Sequence, residues 1–383
     1  MKNILIISLP MERMNLMEDK IYIIIMNLFI YVVLLIMQIL TPKMTRKNIY
    51  FGIRIPEEEL NNEELKKIYI IYVIENILIS IPSIALLSYW TYNSNSPIVV
   101  TLTIFIYIGI LFLVYLHGNN KIKKLKEEKE WKGFKDEVVV DLKFSKNRAS
   151  AASISFWWFL IPVGIALINL IVGLNISSKL PKRIPTNWDF QGNITGYMDK
   201  NFFIWFMPLV QLGMTGTMFF VCKIIGWSKQ EISAKNPEES VKRNIIFRRI
   251  WSVYILVTNI VLNILFTLAS FYSFGILGGS VNTIIILFFI FTSLIILSSI
   301  IISIKVGQGG SRLKFDGHYE ERNRDDDRFW KLGSTIYYNP EDPALFIEKR
   351  FGVGWTVNAG RPLGMFLMII PFIIIVFTLL LVS

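Results

Sequence analysis

The chain has 383 residues, 53% of them hydrophobic and 18% charged, with a mean hydropathy of +0.49. Soluble domains carry about 25% charged residues, so the composition excludes an ordinary soluble globular protein. The net charge of +11 does not point to nucleic acid as a partner, because the basic residues fall in alternate segments between long uncharged runs, the pattern of a multipass membrane protein whose inner loops face anionic lipid.

Eight runs are long and apolar enough to cross a bilayer: 21–40, 68–90, 98–116, 154–174, 202–225, 251–271, 281–304 and 363–382. They are apolar on all sides rather than alternating, which favours helices over barrel strands. The predicted fold is an all-α integral membrane protein of about eight transmembrane helices, with a small β-containing domain on the inner face before the last helix. The expected organisation is a membrane region 1–174, an outer loop 175–201, spans 202–304, an inner domain 305–362 and a last span 363–383. The apolar stretch 4–9 is too short for a signal-peptide core and precedes Pro10, Glu12 and Arg13, so it reads as an interfacial tail. Of 40 Lys and Arg residues, 32 lie after the first, third and fifth spans or before the last, and seven lie in the N-terminal tail or after the fourth. Both termini are therefore expected outside.

In the first inner loop, residues 52–56 should form an ordered turn that exploits Gly52. Pro56 followed by Glu57, Glu58 and Glu59 signals a helix start running into the second span. Glu75 is the one acid well inside a span, so it is a functional candidate, with Asn76, Asn169, Asn259 and Asn263 as polar partners. Asn259 and Asn263 are four apart and share a helix face. The inner loop after the third span reads as a solvated continuation of that helix, with Lys124–Glu128 and Lys126–Glu130 pairs, then a short strand at 138–140. Cys222, the single cysteine, reads as a small buried apolar residue. The outer loop is rich in Pro, Gly and Asn and should make successive turns rather than a long helix.

That outer loop carries Leu180, Pro181, Ile184, Pro185, Trp188, Gly192 and Gly196, a pattern that resembles the DUF1648 segment of bacterial membrane proteins, found also in the SdpI-like immunity and signalling family. Asn187 stands where relatives often carry histidine. The stretch from Asn48 through Gly52, Ile53 and Arg54 to Pro56 resembles the first loop of the same module. Further on, Trp330, Asn339, Pro340, Asp342, Arg350, Gly352, Gly354, Trp355 and Asn358 resemble the DUF5808 segment, read as a turn at 339–343 followed by two strands, 345–350 and 353–358, around Phe351 and Gly352.

Motifs for catalysis are missing from the sequence. It has two histidines, His117 and His318, no HExxH signature and no nucleophile elbow. No span holds the carboxylate pair of an intramembrane aspartyl protease. Gly307–Gly310 lack the Lys-Ser/Thr of a phosphate loop and read as a flexible exit from the seventh span. Asp325, Asp326 and Asp327 read as a solvated acidic turn. No enzyme activity, cofactor or metal is expected. The resemblance implies immunity or signalling against a toxic peptide or envelope stress in a bacterial plasma membrane. A secreted peptide would meet Pro185, Asn187, Trp188, Asp189, Gly192 and Gly196, and a cytoplasmic regulator would meet the inner domain. The alternative is a peptide or lipid transporter with Glu75, Asn259 and Asn263 on its pathway.

Overall fold

The computed structural model describes residues 11–94, 96–131, 154–189, 192–230, 232, 237–313 and 326–382, with side chains from Lys20 to Ile373. The helices among them are α1 (Met11–Met44), α2 (Glu63–Asn93), α3 (Pro97–Glu128), α4 (Leu160–Ile176), α5 (Lys200–Trp227), α6 (Pro237–Ser273), α7 (Val281–Val306) and α8 (Pro362–Val382). The first seven coincide with stretches long and apolar enough to cross a membrane. The eighth expected span coincides with α8, a 21-residue apolar helix. The chain is an all-α multipass membrane protein. The residues it exposes bear this out: Leu78, Ile81, Leu86, Leu113 and Phe372 all lie on the outer surfaces of their helices, where acyl chains rather than water are the solvent.

The helices pack as two antiparallel triplets, α1–α2–α3 and α4–α5–α6, with α7 touching α6 and α1. Edge-on aromatic packing of Tyr31 with Tyr107 joins the first triplet, where Tyr107 donates to Ser80 at 3.0 Å. Phe159, Cys222 and Leu256 pack together in the second, so Cys222 is buried as expected. Polar side chains also bind helix to helix, since apolar burial gives no preference between lipid and protein contact.

Among the described residues, four two-stranded antiparallel ribbons cap the helix ends. Ribbon β1 (Ile49–Tyr50) with β2 (Ile53–Arg54) turns through Phe51 and Gly52, both at positive φ. The expected turn is thus a hairpin, and Phe51 drives its ring into Tyr72 and Tyr115. The expected helix run from Glu57 into the second span is broken. Glu57–Glu59 is one 3-10 turn, and Asn62 then caps α2 by accepting from Glu64 N at 2.9 Å. Ribbons β5 (Trp330–Lys331) with β6 (Ile336–Tyr337), and β7 (Phe346–Glu348) with β8 (Trp355–Val357), build the domain expected on the inner face, called the inner domain below. The second of these is the expected hairpin around Phe351 and Gly352, while the first was not foreseen. Helix α3 does continue beyond the apolar run 98–116, but it ends at Glu128 and Glu130 takes a positive φ. Lys126 therefore pairs with Asp327 at 2.7 Å rather than with Glu130. The strand expected at 138–140, His318 and Asp325 lie outside the described residues.

Candidate functional site

Ribbon β3 (Arg183–Trp188) with β4 (Ile194–Asp199) closes one end of the second triplet. The segment expected to lie outside is a bulged hairpin rather than a succession of turns, its backbone groups satisfied by cross-strand bonding. Ile184 is fully buried against Phe203, Ile204 and Phe274, fixing the hairpin to α5 and to the end of α6. Asp189 makes the tip: its carboxylate accepts from Asn193 N at 2.7 Å and from Asn193 Nδ2 at 2.8 Å. Gly192 sits at φ +88° beside it. Trp188 stacks edge-on with Tyr272 of α6 at 5.4 Å. Asn187 is exposed, opposite Gly196, and a Cβ on Gly196 would come within 3.0 Å of the Asn187 amide nitrogen.

Below the hairpin, seven polar side chains from α4, α5 and α6 meet in the triplet interior. Gln211 is the hub. It donates to Thr267 Oγ1 and Asn263 O, each at 2.8 Å, and accepts from Asn169 Nδ2 at 2.9 Å. Asn169 also donates to Ser270 at 3.1 Å, and Asn263 donates to Asn259 Oδ1 at 2.9 Å and to Thr215 at 3.2 Å. Asn169 Oδ1, Asn259 Nδ2 and Asn263 Oδ1 are buried with no hydrogen-bond partner in the protein. Gln211 lies eleven residues into α5, about 17 Å along the helix and thus near the bilayer centre.

At the opposite end, the inner domain is locked to the first triplet by buried guanidiniums and to the second by Lys229 and Trp355. Arg46 at the end of the first span binds Glu348, with Nη2 to Oε2 at 2.7 Å and both side chains nearly sealed from solvent. Arg350 donates to Gly52 O at 3.0 Å and pairs with both Asp326 and Asp327. Arg54 shares Asp326 at 3.2 Å, and the Trp330 ring lies under the Arg350 guanidinium at 5.1 Å. Burial by itself would raise the Asp327 carboxyl, but Arg350 and Lys126 beside it hold it below the usual carboxylate range. On the second triplet, Lys229 Nζ binds Asp342 at 2.6 Å and its backbone N–H bonds Phe346 O at 2.8 Å. The Trp355 ring meets Phe247 of α6 at 5.4 Å. Arg248, fully buried, caps α5 by donating to Ile225 O at 2.6 Å and Ser228 O at 3.0 Å.

Residues 164–212 match the family model described as a domain of unknown function, DUF1648. The chain carries a DUF1648 domain. The matched segment runs from α4 through the hairpin into the first half of α5, and so takes in both Asn169 and Gln211. Residues 340–365 match the family of unknown function DUF5808, which covers β7, β8 and the start of α8 but not Trp330 or Asn339. No curated protein and no solved structure matches the chain.

Several expected sites move when placed in the fold. Glu75 does not meet the asparagines. It sits on the first triplet, paired with Lys121 at 2.9 Å and facing His117 at 3.5 Å, while Asn169, Asn259 and Asn263 gather inside the second triplet. Helix spacing could place Asn259 beside Asn263 but could not name Gln211 and Thr215 on another helix. Asp326 and Asp327 are an ion-pair cluster, not a solvated turn. The glycine run is not a flexible exit: Gln308 exchanges two hydrogen bonds with the backbone of Gly354, at 2.7 and 3.0 Å. A Cβ on Gly309 would strike the Arg46 guanidinium, and one on Gly310 the Arg243 carbonyl. The DUF5808 motif residues have scaffold roles. Asn358 donates to Asn339 O at 2.8 Å and accepts from Asn339 N at 3.0 Å, while Asp342 accepts from Tyr337 and from Ala344 N.

Proposed function

We propose that this is a non-enzymatic protein of a bacterial plasma membrane that detects a toxic secreted peptide or envelope stress at the DUF1648 hairpin and answers through a cytoplasmic regulator on the inner domain. The observation that carries the reading is the bonding of the inner domain to both triplets at the end opposite the hairpin. A tilt of α5 or α6 under the hairpin would strain the Lys229–Asp342 and Phe247–Trp355 contacts and load the Arg46 and Arg350 clusters on the first triplet. The mid-membrane Gln211 cluster is a second element that such a tilt would repack. Peptide recognition would draw on the exposed face of the hairpin, where Asn187, Ile194 and Tyr197 stand clear of the helices.

Asp189 is unsuited to the test, because its carboxylate holds the hairpin tip. The variant Asn187→Ala with Tyr197→Ala removes exposed groups and leaves the buried anchor Ile184 in place. In cells challenged with candidate peptides, this variant should reach the membrane at normal abundance and lose protection. Full protection by that variant would overturn the recognition role. The three unpartnered amide atoms of the Gln211 cluster favour a second reading, a transporter with those groups on its pathway; peptide uptake that depends on the chain would establish it over the first.

A further inference from the structure

Helices α6 and α7 diverge along their membrane-facing sides and leave a groove of about 710 Å³ lined by Val253, Val257 and Val261 on one wall and Leu294, Ser298 and Ile302 on the other. Tyr254 forms its floor and ties the helices together by donating to Ile295 O at 2.6 Å. The groove is asymmetric in charge. One end opens at Arg249, and Lys305 follows Ile302 by one turn on α7; both are exposed, and neither has a carboxylate partner among the described residues. No acidic residue lines the groove. Its length matches one class of ligand. From Arg249 to Val261 is twelve residues, about 18 Å of helix, against about 15 Å for one leaflet of hydrocarbon.

We infer that the α6–α7 groove is a binding site for a single anionic phospholipid of the leaflet on the inner-domain side. The acyl chains lie along the valine wall, and the headgroup phosphate sits between Arg249 and Lys305. The arginine offers a planar fork of donors suited to a phosphate, and the lysine a mobile point charge. A neutral zwitterionic lipid would fill the apolar trough but gain less at its mouth. Because Arg249 neighbours Arg248, the cap of α5, and α7 leads directly into the glycine joint with the inner domain, the bound lipid would brace the membrane end of that joint.

The test is native mass spectrometry of the full chain released from nanodiscs of equal parts phosphatidylglycerol and phosphatidylcholine. The wild-type chain should retain phosphatidylglycerol in preference to phosphatidylcholine. Arg249→Gln or Lys305→Gln should each lower phosphatidylglycerol retention about fivefold, the worth of one cation near the membrane surface, and leave phosphatidylcholine retention unchanged. Val257→Trp, which fills the trough from an exposed position, should remove both adducts; unchanged helical circular dichroism controls for folding. Equal retention of the two lipids by the wild-type chain would overturn the proposal. So would adducts insensitive to all three variants, or a dimer cross-linked through the groove in place of a lipid adduct.

Discussion

Arg350 is the position at which the attachment of the inner domain is most exposed to a single change. Its guanidinium is 2% exposed and serves Asp326, Asp327 and the Gly52 carbonyl at once. Arg350→Ala would leave Asp326 with Arg54, and Asp327 with Lys126 and the Arg54 backbone N–H, inside an interface that water reaches poorly, and would strip the cover from Trp330. Breaking a buried ion pair from one side costs about 3–5 kcal/mol, and the residual partners place this case at the lower end. About 3 kcal/mol corresponds to roughly a hundredfold rise in the undocked population. Arg350→Lys should recover only part of the loss, since an ammonium cannot span two carboxylates and a carbonyl in one plane. Proteinase K added to inverted vesicles reads the population, because cleavage tracks the open fraction when reclosing is fast. Cleavage of Arg350→Ala between Lys331 and Arg361 should accelerate by about two orders of magnitude at the low-protease limit. A rate within threefold of wild type would refute the claim that this cluster holds the domain down, and equal rates for the Lys and Ala variants would refute the geometric part of it.

Gly352→Val should also speed that cleavage, but modestly. No atom lies within 4 Å of a Cβ there, so the cost is the left-handed φ of +73° alone, about 1–2 kcal/mol, and not the crowding that a tight hairpin suggests. Gly310→Ala should be worse than Gly352→Ala, since its methyl would meet the Arg243 carbonyl carbon and oxygen at 3.0 and 2.6 Å; thermal unfolding in detergent should rank the two. Gln211→Leu should lower thermal stability by only about 1 kcal/mol, typical of hydrogen bonds between membrane helices, and loss of protection at normal abundance would then mark the cluster as functional. Asp327 and Asp342 are both held below the ordinary carboxylate value of 3.8, Asp342 by Lys229 against the opposing effect of burial. Their contribution to docking should be complete above that value and fade as pH falls through the lowered ones, so acid titration of tryptophan emission should show a transition below 3.8 that Asp327→Asn diminishes and Asp327→Asn with Asp342→Asn removes. With Cys222→Ser as background, Lys129→Cys should resist an impermeant thiol reagent in intact cells and Asn193→Cys should react; the reverse would invert the topology.

The membrane class and the positions of the apolar helices were legible in sequence because each follows from a local property: some twenty residues without charge leave a helix few alternatives to the bilayer. The β7–β8 hairpin was legible for the same reason, since Gly352 and its flanking strands are neighbours in the chain. The roles of the polar residues were not. Glu75 and Asn169 each read as a polar residue in a span, and nothing in either segment shows that one faces Lys121 while the other faces Gln211. Asp326 and Asp327 read as solvated because their partners Arg54 and Arg350 lie at distant positions in the chain. The glycines before Arg312 read as slack for want of any view of Arg46 and Gln308. Sequence determined which segments leave water; only tertiary structure decided which charges and amides meet once they do, because a buried polar group is defined by a partner that local sequence does not contain.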